Sequence, residues 1–220
     1  MGQKHVPPPT VDPRSIWDSR YASMRQRGIR PTPDAWLEGW SDVLAAARGG
    51  LVLDLGCGSG LDSQTLKRRG LAVVAADFSR EALSTARQSA QGAQFVQADL
   101  RCGLPFQPGS YRLVVANLVL HYYGWSATLA IVEDIRRCLE PGGRLLARLN
   151  SVQDVQFGAE GHPEIEPGLY LVQDVLKRFF DRASIEELFS TGWRLAALQE
   201  RKTVRYLHEK QLWEVLLRKT

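Results

Sequence analysis

Glycines at 56, 58 and 60 follow directly on Leu51-Val-Leu-Asp-Leu55, an apolar run of strand length. A buried strand that breaks into alternate glycines lets bare backbone approach a ligand with no Cβ in the way. Asp54, two residues before the first glycine, says which ligand suits the turn. A pyrophosphate would be repelled by a carboxylate so close, and a cationic group attracted. Leu61 also stands where the dinucleotide-binding pattern requires a glycine.

Two further acids follow. Asp77 closes Val73-Val-Ala-Ala-Asp77, ahead of Phe78 and Ser79, and Asp99 closes Phe95-Val-Gln-Ala-Asp99, ahead of Leu100. A carboxylate at a strand end can accept from both hydroxyls of a ribose. Another can accept from the exocyclic amine of adenine. Three acids ending three successive strands would face one crevice, the expected ligand site of an open α/β sheet. Further on, Asn117 precedes Leu-Val-Leu and then His121-Tyr122-Tyr123-Gly-Trp125. His121 titrates near neutrality and can act as a base or orient a second ligand. The aromatic residues after it can wall a pocket in which a partly cationic group moves. Cys57 invites a nucleophile reading, but the chemistry considered below requires none.

The elements that must position these residues alternate. Strands are expected at 51–55, 71–76, 93–97, 112–117 and 144–149, with helices at 63–69, 81–90 and 126–139 between them. Ser79 is the expected N-cap of the second of these helices. Pro141-Gly142-Gly143 is expected to stop the third. Fully apolar strands in β-α-β-α order predict an α/β fold with a doubly wound parallel sheet. Residues 1–12 read as a flexible leader and 13–220 as a single domain. Within it, 13–47 form a helical cap in two pieces broken by Pro31 and Pro33, with Trp17 and Tyr21 on one face. The polar, glycine- and proline-containing stretch 151–180 shows no period and reads as a long loop, a candidate substrate lid. Its His162, Glu164 and Glu166 are candidates for substrate contacts. Ser184-x-x-Glu187 reads as a capping box for a helix through Ser190. Strands at 193–201 and 211–217 are close enough to pair as a hairpin.

Bulk composition narrows the classes. A chain of 220 residues with 44% hydrophobic and 24% charged content is ordinary for a soluble globular protein. The net charge of +4 is spread out, without the basic stripe and interleaved aromatics of a nucleic-acid footprint. No apolar run is long enough to span a membrane. Three cysteines fit neither a disulfide framework nor a metal spacing, so the expectation is a reduced cytoplasm and no metal.

Taken together, the segment from Leu51 to about Arg148 resembles class I S-adenosylmethionine-dependent methyltransferases. The likeness rests on Val52 to Gly60, Ala76-Asp77-Phe78-Ser79, Ala98-Asp99-Leu100 and Leu139-Glu-Pro-Gly-Gly143, occurring in that order. It implies a Rossmann-like seven-stranded sheet of order 3-2-1-4-5-7-6 with the last strand antiparallel. It implies S-adenosylmethionine as methyl donor and S-adenosylhomocysteine as product. By the same resemblance, Gly56, Cys57, Gly58 and Gly60 hold the methionine part, with Asp54 facing its cationic groups. Asp77 holds the ribose, Phe78 packs on adenine, and Asp99 with the Leu100 amide reads the adenine edge. Asn117 contacts the donor, and Tyr21 and Trp17 belong to a cap over it.

The Asn/Asp-Pro-Pro-Tyr/Phe tetrad of nucleic-acid and protein N-methyltransferases is missing after the fourth strand, which points to a small-molecule acceptor. His121 and Tyr122 are then the catalytic candidates. Trp17, Tyr123, Trp125, Asn150 and Ser151 are the acceptor-binding candidates. Segments around Asn150–Asp154, Phe157-Gly158, Lys177–Phe180 and Leu212–Val215 are similar to a narrower group, the tellurite-resistance-like bacterial methyltransferases. Three other readings stay open on the sequence. They are an NAD-dependent oxidoreductase, an RNA methyltransferase, and a methyltransferase-fold partner that binds the donor without catalysis.

Overall fold

The computed structural model describes residues 12–29, 34–204 and 209–220. The expected leader, except Asp12, and the expected breaks at Pro31 and Pro33 lie outside them. Strands β1 (Leu51–Leu55), β2 (Ala72–Asp77), β3 (Gln94–Gln97), β4 (Tyr111–Asn117) and β5 (Leu139–Asn150) alternate with helices α3 (Leu61–Arg68), α4 (Arg80–Ser89) and α5 (Trp125–Cys138). Between β5 and the last two main-sheet strands, β9 (Trp193–Thr203) and β10 (Lys210–Lys219), lie three short strands and helix α6 (Arg182–Leu188). The main sheet has seven strands in the order β3-β2-β1-β4-β5-β10-β9. Counted along that sheet alone, this is the expected 3-2-1-4-5-7-6. Strands β1 to β5 pair in parallel, and β10 runs antiparallel between β5 and β9.

Strand alternation explains the layers, because successive residues point to opposite faces. Leu53, Leu55, Val74, Ala76, Val114, Ala116, Leu145 and Ala147 turn to one core with Ile131, Val132 and Ile135 of α5. Val52, Val73, Leu113, Val115 and Leu146 turn to the other, under Leu66 of α3 and the 3-10 turn Ala35–Trp40 with α2 (Ser41–Ala46). Helix α1 (Pro13–Gln26) carries no buried residue of its own and lies against α4. Asp18 there accepts hydrogen bonds from the Ser79 hydroxyl and, at 3.4 Å, the Glu81 amide. Ser79 caps α4 as expected, accepting from the Ala82 amide at 3.1 Å.

Three expectations change. The Pro141-Gly142-Gly143 segment ends no helix; α5 stops at Cys138, and the segment is a bulge inside β5. There the pairing jumps from Tyr111–Leu139 to Leu113–Arg144. Helix α6 is capped by Asp181, which exchanges bonds with Ser184 in a capping box, so Ser184 is the third helical residue and not the cap. The stretch 151–180 is no featureless loop. It holds a three-stranded antiparallel sheet of β6 (Glu164–Glu166), β7 (Leu169–Val172) and β8 (Val175–Arg178). Gln173 and Asp174, at φ of 50° and 63°, form its second hairpin turn. Two positive φ values in succession suit a tight hairpin. No glycine marks the position.

Gly60, at φ +81°, sits where α3 meets α4, and a Cβ there would stand 2.9 Å from the Ala86 Cα. Gly60→Ala is therefore expected to destabilise the protein by about 1–3 kcal/mol through overpacking. A lower urea midpoint would show this, and an unchanged midpoint would mean that the two helices separate freely.

Candidate active site

The carboxyl ends of β1, β2 and β4 open onto a cavity of about 550 Å³. The glycine turn forms its floor. The Gly56 and Cys57 amides both donate to the Ala76 carbonyl, at 2.8 and 3.0 Å, and the Gly58 amide donates to Asp77 Oδ2 at 2.9 Å. The turn is thus tied across the end of β2. Gly58 has φ +52°, and a Cβ on it would collide with the Tyr21 hydroxyl. Helix α1 therefore closes directly over the turn, with Ile16, Trp17, Arg20 and Tyr21 on the cavity wall.

Beneath and beside the turn lie three acids. Asp54 is fully buried and accepts from the Ser63 hydroxyl of α3. Burial first, then the neighbouring charge of Asp62, pushes its carboxyl up to about 8. Asp62 does line the cavity, and it accepts from Trp36 Nε1 at 2.9 Å and Asn117 Nδ2 at 2.7 Å. Asp77 lines it too, with Oδ1 accepting from the Ser79 amide at 2.9 Å. Burial raises the Asp77 carboxyl against the pull of these backbone bonds. The same burial, reinforced by Asp54 and Asp77, holds the Cys57 thiol well above its ordinary range, so it is no nucleophile.

The far wall comes from the turn after β4. Leu118 holds φ +54°, an uncommon conformation for a residue with a Cβ, as the chain leaves the sheet. The 3-10 turn Leu120–Tyr122 follows. Tyr122 meets Trp17 edge-on at 5.2 Å and packs against His121 at 4.1 Å. His121 is 3% exposed, and its Nδ1 has no partner among the described residues. Burial, then Lys210 and Lys177, push it well below 6.5, so the ring is neutral near pH 7. Burial raises the Tyr123 hydroxyl further from its ordinary value, and it stays protonated. Strand β8 packs on this turn and brings Lys177 to the cavity; Lys210 comes from the start of β10.

Most of the sequence candidates meet here: Trp17, Tyr21, Gly56, Cys57, Gly58, Asp77, Phe78, Leu100, Asn117, His121, Tyr122, Tyr123 and Asn150 all line the cavity. Five do not, and each has a different task. Asp54 points at α3, because it faces opposite to Leu53 and Leu55. Gly60 packs on α4. Asp99 caps the 3-10 turn Leu100–Cys102 and takes both Arg101 Nε at 3.0 Å and Nη2 at 2.7 Å. These bonds lower its pKa. The ring of Trp125 lies 5.2 Å from the Arg178 guanidinium. Ser151 bonds Glu200 and the Gln153 amide. The lid acids also serve structure, since Glu166 pairs with Arg178 and Glu164 accepts from the Gly168 amide at 2.8 Å.

Several residues of the site were not legible. Asp62 had a faint signal, an acid in the first turn after the last glycine. Trp36 and Asp34 had none. Trp36 joins the site by its bond to Asp62, and Asp34 stands behind it, accepting from the Trp36 amide at 3.1 Å and pairing with Arg148, which also pairs with Glu214 and stacks 4.5 Å from the Trp36 ring. Lys177, Lys210 and Asp154 come together only through the tertiary fold.

Residues 52–143 match a family model described as a methyltransferase domain. The chain is 37% identical over 100 residues to an uncharacterized methyltransferase of Synechocystis, covering 46% of this chain and 47% of that protein. It is 38% identical over 100 residues to a trans-aconitate 2-methyltransferase of Azoarcus, covering 44% of this chain and 38% of the relative. The chain thus spans less than half the length of these curated relatives. A magnesium protoporphyrin IX methyltransferase of Synechocystis, solved with bound S-adenosylmethionine, superposes with a TM-score of 0.69. The match covers 96% of this chain and 99% of that one at 18% identity, a likeness of fold. Residues 52–143 are thus similar to a methyltransferase domain, and the chain has the fold of the solved S-adenosylmethionine-bound methyltransferase.

The raised Asp54 carboxyl gives a pH dependence. The folded protein keeps a proton that the unfolded chain releases near 3.8, so stability falls as pH rises from about 4 to about 8. Asp54→Asn, which still accepts from Ser63, is expected to flatten this fall and to be more stable than wild type at the alkaline end. Urea midpoints across that range measure it. Parallel curves for the two proteins would place the raised pKa elsewhere.

Proposed function

We propose that the protein transfers a methyl group from S-adenosylmethionine to a small-molecule acceptor. The observation that carries this is the cavity itself, which is acid-lined under the glycine turn and aromatic-walled beneath α1. The residues fit the donor. Asn117 Oδ1 is buried with no partner among the described residues, and an ammonium would satisfy it. Asp62 and Asp77 give that end a charge suited to a cation. After bonding Gly58 and Ser79, each Asp77 oxygen keeps a lone pair for a ribose hydroxyl. Phe78, Ala98 and Leu100 offer apolar surface to a planar base. Asp99 contributes there only if Arg101 releases it.

Bound in this way, S-adenosylmethionine supplies a methyl already activated by its sulfonium, so the chain's work is alignment and exclusion of water. Trp17, Tyr21 and Tyr122 close the cavity over the reacting end. The neutral His121 ring presents Nδ1 as a hydrogen-bonding group that orients the acceptor; its low pKa suits it poorly to act as a strong base. A cavity of about 550 Å³ is of the size that holds small ligands, which favours a small acceptor, and the Azoarcus relative is named for one.

Incubation of the protein and methyl-labelled donor with a cell extract, then fractionated, tests the acceptor class. Label is expected in the low-molecular-mass fraction; label confined to RNA or protein would contradict the proposal. Asp77→Asn keeps one acceptor oxygen and is expected to cost about 1 kcal/mol of stability. Its donor affinity should fall about tenfold or more. Unchanged affinity would remove Asp77 from donor binding.

A further inference from the structure

The cavity is electrically lopsided. Its floor carries Asp62 and Asp77, and its other end carries Lys177, Lys210 and Arg20. Lys210 is 6% exposed and pairs with Asp154 at 2.6 Å. Lys177, partly buried, donates to the Phe157 carbonyl at 3.2 Å, a neutral partner. On Lys177 the charges of Lys210 and Arg20 each weigh more than that of Asp154. Arg20 is exposed, with its guanidinium 5.0 Å from the Trp17 ring. Against these three cations stand two carboxylates, Asp154 on Lys210 and Asp174 in the turn before β8, which leaves a net positive charge. The residues outside the description contain no Asp or Glu in their sequence, so they bring no further side-chain carboxylate.

Desolvating a lysine beside two other cations is costly unless an anion completes the site. The floor acids face the donor end of the cavity, and Asp154 already holds Lys210. Two buried polar atoms sit among the same groups with no partner in the described residues: His121 Nδ1, on which both lysines act, and Asn150 Oδ1. Each lines a cavity wall beside the lysines rather than the core. A cationic donor at one end and surplus positive charge at the other ask for a second ligand of negative charge.

We infer that the methyl acceptor is a small organic anion whose carboxylate or phosphate group is held at Lys177, beside Lys210 and Arg20, with His121 as a hydrogen-bonding neighbour. The inference rests on the donor-binding reading above and names the acceptor's chemistry. Lys177 thereby becomes a specificity-determining residue contributed by the small sheet, which explains why β8 is packed onto the 120–122 turn.

Calorimetry on the protein loaded with S-adenosylhomocysteine tests it, using benzoate, phenyl phosphate, benzamide and benzylamine as probes of similar shape. Failure of S-adenosylhomocysteine to bind in the loading step would sink the donor reading instead, and is seen before any probe is added. With the loaded protein, at least one of the two anions should bind about tenfold or more tighter than benzamide. Which anion binds tighter distinguishes carboxylate from phosphate. Benzylamine should bind weakest. Lys177→Met should abolish the preference and leave S-adenosylhomocysteine affinity unchanged, and Lys177→Glu should turn it toward benzylamine. Inversion of preference cannot come from misfolding. Equal binding of benzamide and the anions, tighter binding of benzylamine to wild type, no binding of either anion, or an anion preference untouched in Lys177→Met would each overturn the inference.

Discussion

Three carboxylates crowd beneath one glycine turn, and much of the fold is arranged to hold them there. Burial makes Asp54 and Asp77 expensive as charged groups, and the charges of Asp62 and Asp77 add to the cost at Asp54. Among the described residues, hydrogen bonds to them come from a hydroxyl, an indole, an amide side chain and backbone N–H groups. Neutral donors of this kind relieve desolvation without cancelling negative charge. Each draws in a different element: Ser63 brings α3, Trp36 the segment before α2, Asn117 the end of β4, and Ser79 the cap of α4. Trp36 is in turn stacked on Arg148, whose pairs with Asp34 and Glu214 fasten the N-terminal segment to β5 and β10. A cationic ligand over the turn would complete a site that the protein has built at a cost to its own stability.

The opposite end of the cavity answers with the opposite sign. Its lysines come from the parts of the chain that follow the parallel strands, β8 and β10, whereas Asp77 and Asp62 come from β2 and the start of α3. The small sheet that carries Lys177 is anchored by Arg178, which pairs with Glu166 and donates to the Pro167 carbonyl at 2.9 Å. Glu166 also accepts from the Trp125 amide at the start of α5. The wall that carries Lys177 is therefore braced against the main domain.

The parts that were legible in the sequence share one cause: strong local pattern. Apolar runs, the glycine turn and helix-period residues such as Val132 and Ile135 announced the main sheet and most of the cavity floor, and the strand order followed from the family resemblance that the motifs carry. What was missed depended on contacts between distant segments. The strands of the small sheet have three or four residues, and its Gln173–Asp174 turn has no glycine to mark it. Asp54 was misread for a different reason. Strand alternation already placed it opposite to Leu53 and Leu55, toward α3, and only its nearness to the turn suggested ligand contact. Asp99 stood at the expected strand end, but Arg101, two residues on, claims its carboxylate. Lys210 and Asp154 are 56 positions apart and carry no shared sequence signal.

The central claim is that the acids under the turn are kept for a cationic adenosyl ligand. Calorimetric titration with S-adenosylmethionine and, separately, NAD, at pH near 7 in two buffers of different ionisation enthalpy, tests it most directly. The account predicts that S-adenosylmethionine binds, that NAD does not, and that binding releases protons as the raised carboxyls ionise beside the ligand's positive charge. Binding of NAD in its place, or binding of S-adenosylmethionine without proton release, would contradict it.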